Sequence, residues 1–157
     1  GFVISVFALF LAFNTYIANG LSGTILTNTI KANDTWSFYQ AKSIKQTVVD
    51  NAADDADARG DKTKAERYRA TSQRYESDPT TGEGKKELMA KAQALEAERD
   101  LAKKKSPWIS FAGSAMQMAI VLVSASIVAV SAAMFWASFG VMAVGLALMS
   151  QGIWLWF

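Results

Sequence analysis

The chain has 157 residues, 51% apolar and 19% charged, with a net charge of +2 and a mean hydropathy of +0.13, one domain's worth of protein with more apolar content than a soluble domain carries. It holds no cysteine and no histidine, so thiol chemistry, disulfides, haem ligation by the usual residues and any His-based metal or proton-transfer site are excluded for this chain alone. All 16 Lys+Arg and all 14 Asp+Glu lie between Lys31 and Lys105, a partition that reads as membrane, solvent, membrane.

The first apolar run, FVISVFALFLAFNTYIA, is about the length of one span. A secretory signal peptide would need a basic leader and a cleavage site, and neither is visible. The chain opens at Gly1 inside the apolar run and without Met, so a segment is expected to precede it. With no Pro before Pro79, the first helix is expected to leave the membrane and continue to about Ala58, with Gly20 and Gly23 as a candidate bend and Gly60 as the break.

A second helix is predicted over DKTKAERYRATSQRYES, ended by the turn residues DPTTGEG. Its apolar content is thin, limited to Ala65, Tyr68 and Tyr75, which suggests an arm stabilised by its neighbours. A third helix, roughly Lys85 to Lys105, carries a narrow stripe of Leu88, Ala92, Leu95 and Ala102. Ser106 followed by Pro107 reads as an N-cap with Pro at the first helical position, predicting a new helix there.

The last 52 residues are too long for one span, since about 20 apolar residues cross a hydrocarbon core of roughly 30 Å. Two spans fit, one from Pro107 and one from Phe135, with Ser131 to Met134 as the turn. Trp136 to Trp154 is 18 residues, roughly 27 Å at the helical rise, the separation of two interfacial belts. Trp108 and Trp154, with Trp156, are therefore expected on one membrane face. The fold expected is an all-α membrane protein with three transmembrane helices and an extramembrane helical, coiled-coil-like hairpin or stalk between the first and second. Its divisions are 1–30, 31–105 and 106–157.

Within NDTWSFYQAKSIKQ, residues 33 to 46, helical spacing puts Ala41, Ile44 and Val48 on one side, Trp36 with Tyr39 on a second, and Phe38 with Val49 on a third. A helix apolar almost all round is expected to be buried on more than one side. Either this helix packs inside its own protomer with snorkelling lysines, or it offers a partner-binding surface. Trp36, Phe38, Tyr39, Gln40, Lys42, Ile44 and Lys45 are the interaction candidates, the two lysines laying their stems over the aromatic surface toward lipid phosphates or acidic groups.

The run from Asp34 to Lys45 resembles the signature of a bacterial membrane family called domain of unknown function 4337. The layout of one span, this motif, a charged helical region and two closing spans is similar too, as are SAMQMAIVLVSASIVAV and the glycine-containing last span. Phe38 stands where the family pattern suggests Tyr. The resemblance implies a membrane protein from bacteria and transfers no activity.

Asp50, Asp54, Asp57 and Asp61 fall on one helix face if the helix passes Gly60. Such a row is read either as a divalent-cation site, which a straight stripe suits poorly because calcium takes six to eight ligands, or as a solvated face paired with Arg67, Arg74, Lys85 and Lys86. Lys103, Lys104 and Lys105, directly before a span, read as a topology signal for the cytoplasmic side and as anionic-lipid contacts. Interleaved charges argue against nucleic acid as a partner.

No ionisable residue other than Tyr16 lies in the spans, which counts against proton relay or active transport. Asn14, Ser114, Gln117, Ser124, Ser126 and Gln151 are of the kind that hydrogen-bond between helices. Small residues at four-residue spacing, such as Ser110 with Ser114 and Ala115 with Ala119, permit close approach. No nucleophile with its acid and base stands out, and no cofactor or metal is implied. The expectation is a non-enzymatic structural or accessory protein of the bacterial inner membrane. It would assemble with itself or with a larger membrane complex and contact membrane lipids; the alternative is an oligomeric channel or pore.

Overall fold

The computed structural model describes residues 1 to 157 as four helices and no strand: α1 (Phe2–Ala58), α2 (Lys62–Glu76), α3 (Lys85–Val128) and α4 (Ala132–Trp154). Segments of α1, α3 and α4 are each long and apolar enough to cross a membrane. Contacts divide the chain into two compact units, Gly1–Leu26 with Arg99–Phe157, and Thr27–Glu98.

In α1, 57 residues run without interruption. The helix is not broken at Gly20 and Gly23, where both glycines are exposed and nothing lies near the space a side chain would fill. The break at Gly60 is found where the sequence puts it. Asp61 N–H bonds the Ala56 carbonyl and Gly60 N–H that of Asp57, with Gly60 left-handed at φ 79°. This double bond to the last carbonyls is the Schellman arrangement, which glycine adopts without steric cost. Asp61 then caps α2, its Oδ1 accepting from Lys64 N–H at 3.1 Å.

Two helix boundaries depart from the sequence reading. Pro107 starts no helix but lies inside α3. Pro removes one backbone donor and crowds the carbonyl four residues back. Here the ring is exposed, while Ala102, Ile109, Ala112 and Met116 keep one face of α3 buried on both sides of it, so packing carries the helix across the gap. The last turn comes earlier than expected: α3 ends at Val128 and Ser131 caps α4, its hydroxyl accepting from Met134 N–H. Val130, at φ 50°, takes the left-handed position that Gly60 fills in the first turn, and Ser131 N–H again bonds five residues back to Ser126.

The unit formed by residues 1–26 and 99–157 is three helix segments around Phe7, Met116, Ala119, Val123 and Met142. Phe7 and Phe139 meet edge-on at 5.3 Å, and Phe139 meets Phe135 at 5.2 Å. α3 and α4 approach closely at Gly145 and Gly152, where a β-carbon would stand 3.0 Å from Met116 and 2.6 Å from Ile109. In the Thr27–Glu98 unit, small residues make the contacts: Ala32, Ala53, Ala56, Ala65 and Ala92 are buried with Leu88. Tyr68, Tyr75 and Leu95 are half-buried, so the thin arm does lean on its neighbours.

Candidate assembly surface

The α1 stretch from Asn33 to Val49 has two unlike faces. On the inner face Thr35 is buried, and Trp36, Tyr39, Lys42 and Gln46 are half-buried. The Trp36 indole N–H donates to Glu96 Oε1 at 3.0 Å, and its ring meets Tyr39 edge-on at 5.5 Å. Lys85, at the start of α3, donates to Gln46 Oε1 at 2.9 Å and Glu76 Oε2 at 3.0 Å and lies 5.8 Å from the centre of the Tyr39 ring. One ammonium thus ties α1, the end of α2 and the start of α3 together. Its hydrogen bond holds the Glu76 carboxyl below its ordinary pKa. Lys42 sits 5.3 Å from the centre of the Tyr75 ring and 3.8 Å from Glu83, so its charge is directed to aromatic and acidic groups of its own chain.

The outer face is open. Phe38, Ile44 and Val48 are 65%, 66% and 61% exposed, and Gln40 and Lys45 are exposed beside them. Trp36 and Phe38 part company because two residues turn a helix by about 200°. The structure therefore gathers Trp36, Tyr39 and Lys42 into one cluster and leaves Phe38, Gln40, Ile44 and Lys45 outside it. Burial on more than one side does not occur within the protomer, since α2 and α3 cover only the inner face. Lys85, Glu96, Glu76 and Gln46 complete the cluster; of these the sequence marked only Lys85, and as a partner for the aspartate row. Nothing local marks their place in it, because Glu96 and Trp36 are 60 positions apart.

The aspartate row is not one face. α1 stops at Ala58, Asp61 becomes the cap of α2, and Asp57 pairs with Arg69. Arg74 and Lys85 pair instead with Asp78 and Glu76. No group of carboxylates is placed to hold a metal ion.

At the end of the other unit, Lys103 and Lys104 are exposed and Lys105 half-buried. Trp108 is half-buried, edge-on to Phe157 at 6.0 Å. Trp154 and Trp156 are 67% and 71% exposed, with rings 6.3 Å apart. A β-carbon on Gly152 would meet Trp108 at 3.1 Å, which puts Trp108 and Trp154 at the same end of this unit, as the tryptophan spacing implies.

The polar residues of the apolar segments behave differently from one another. Asn14 Nδ2 bridges helices, donating to the Ile109 carbonyl at 3.0 Å, while its buried Oδ1 has no partner. Ser114, Ser124 and Ser126 bond carbonyls of their own helix, because a serine hydroxyl reaches back one turn more readily than across to a neighbour. Gln151 holds the turn after α4, donating to the Phe157 carbonyl and accepting from Trp156 N–H.

The model of the family described as Domain of unknown function (DUF4337) matches residues 1–155. No curated protein and no solved structure matches the chain.

Proposed function

This chain belongs to the DUF4337 family, and we propose on that premise that it is a non-enzymatic integral membrane protein that assembles with itself or with a larger membrane complex. In this reading the apolar parts of α1, α3 and α4 cross the bacterial inner membrane, and Thr27–Glu98 is an extramembrane helical hairpin. The observation that carries it is the outer face of the Asn33 to Val49 stretch of α1, where Phe38, Ile44 and Val48 stand more than half exposed while Trp36 and Tyr39 on the opposite side are half-buried. Ile44 and Val48 lie one turn apart and Phe38 about a third of a turn round the helix from Ile44, and an uncovered apolar surface of this kind marks a contact surface. Lys45 stands free beside it for an acidic partner group or lipid phosphate.

Lys103, Lys104 and Lys105, next to a span end, favour the cytoplasmic side for the hairpin. Trp108, Trp154 and Trp156 fit the interfacial belt, where an amphipathic ring has one wet and one apolar edge. Native mass spectrometry of protein extracted gently from its own membrane tests the assembly. Integer multiples of the protomer mass, or a complex with other polypeptides, are expected; protomer alone overturns the proposal. Sidedness is read by Thr81→Cys in intact cells, since the chain has no cysteine of its own. Protection from an impermeant thiol reagent is expected, and labelling places the hairpin outside.

A further inference from the structure

We propose that two copies of this chain pair within the membrane along the outer face of α3, with the Gln117 amides of the two copies hydrogen-bonded to each other. The inference deepens the assembly reading and rests on α3 being a span.

Ser110, Ser114, Gln117, Val121, Ser124 and Val128 follow one another at steps of four, three, four, three and four residues, the repeat that keeps a seam on one side of two helices in a left-handed supercoil. This seam is not the face α3 uses at home. That face is Ile109, Ala112, Met116, Ala119 and Val123, each at most 1% exposed. Along the seam Ser110, Ser114, Gln117, Val121 and Val128 are exposed. A groove of about 480 Å³ runs beside Ser114, Gln117, Met118, Val121 and Leu122, wide enough for side chains of a facing helix to enter.

Gln117 chooses the occupant. The hydroxyls of Ser114 and Ser124 are satisfied by the Ser110 and Ile120 carbonyls of the same helix, whereas the Gln117 side chain makes no hydrogen bond in the protomer. It lies nine residues beyond Trp108, roughly 14 Å along the helix and so near the middle of the hydrocarbon layer. An amide cannot be satisfied by acyl chains there, and polar side chains in spans associate helices for that reason. Copies of one chain share one orientation in the membrane, so Gln117 of each arrives at the same depth. The amide is both donor and acceptor, and a two-fold pair satisfies one donor and one acceptor on each side. A different protein would have to offer a polar group at that depth; a second copy does so by symmetry. Ser110 and Ser114, being small, let the backbones approach above it.

Disulfide trapping of the full-length chain in its own membranes tests the pairing. Val121→Cys lies on the seam and Phe111→Cys is exposed but about a quarter-turn off it. Under mild oxidation Val121→Cys is expected to give covalent dimer at least fivefold above Phe111→Cys. Gln117→Leu in the Val121→Cys background is expected to reduce that yield several-fold, and Gln117→Asn to restore part of it. Equal trapping at the two positions, or a yield indifferent to Gln117→Leu, overturns the proposal. Native mass spectrometry of the same preparations separates the two readings. Oligomers without seam trapping mean that assembly stands on another surface, and protomers alone mean that both readings fail.

Discussion

The Asn14 amide occupies the space that a side chain at position 113 would need: Nδ2 lies 2.8 Å from where a β-carbon on Gly113 would stand, while it donates to the Ile109 carbonyl one turn earlier on α3. Glycine and asparagine are therefore one device, the first making room for the second. Gly113→Ala is expected to push the amide off its carbonyl and to destabilise the folded chain by about 1–2 kcal/mol, the range for polar contacts between spans. Asn14→Leu removes the same bond. If the two share it, the double substitution costs clearly less than the sum; additive losses in denaturation of the detergent-solubilised chain would sink this account.

Trp36 is expected to act first on the stability of its own hairpin. Trp36→Phe keeps a ring against Tyr39 but deletes the donor to Glu96, leaving a half-buried carboxylate short of a partner. A loss of about 1–2 kcal/mol is the range for a hydrogen bond to a charged group. Phe38→Ser, on the open face, is expected to leave stability nearly unchanged and to weaken assembly. Thermal melts read beside native mass spectra separate the two effects, and the reverse assignment would contradict the two-faced helix.

Acid should loosen the hairpin through Glu76. Its folded pKa is depressed, chiefly by the hydrogen bond from Lys85. Its stabilising contribution is thus complete above the ordinary glutamate pKa of about 4.3 and is lost as pH falls through the lowered folded value. Lys85→Met removes the cause. The variant is expected to be less stable at pH 7 and to lose less on going from pH 5 to pH 2 than the native chain. Parallel stability curves over that interval would show that the pair does not carry the pH dependence.

Val130 bears a strain that Gly60 does not. A β-branched residue at φ 50° costs roughly 1–2 kcal/mol in local sterics, and its side chain is 90% exposed, so little packing is lost with it. Val130→Gly is expected to stabilise the turn by up to about 1 kcal/mol, the added freedom of the unfolded chain offsetting part of the gain. Gly60→Val, the reverse exchange, should destabilise. An unchanged or lower melting temperature for Val130→Gly would argue against the left-handed turn.

Features that depend on composition and short-range chemistry were legible in the sequence of this protein. The confinement of charge to Lys31 through Lys105 marked the apolar segments, and the Gly60–Asp61 pair marked the first turn because glycine tolerates positive φ and aspartate caps. Only tertiary structure decided the rest. The second turn falls at Val130, which takes the left-handed position at φ 50° with no glycine to announce it. α3 passes through Pro107 because buried neighbours on both sides outweigh one lost hydrogen bond. Which aromatic of the motif turns inward was equally unreadable, since helical periodicity gives the angle between Trp36 and Phe38 but not the zero from which it is counted. That zero is set by Glu96, Lys85 and the small residues of the other helices, whose approach depends on the fold and not on their distance along the chain.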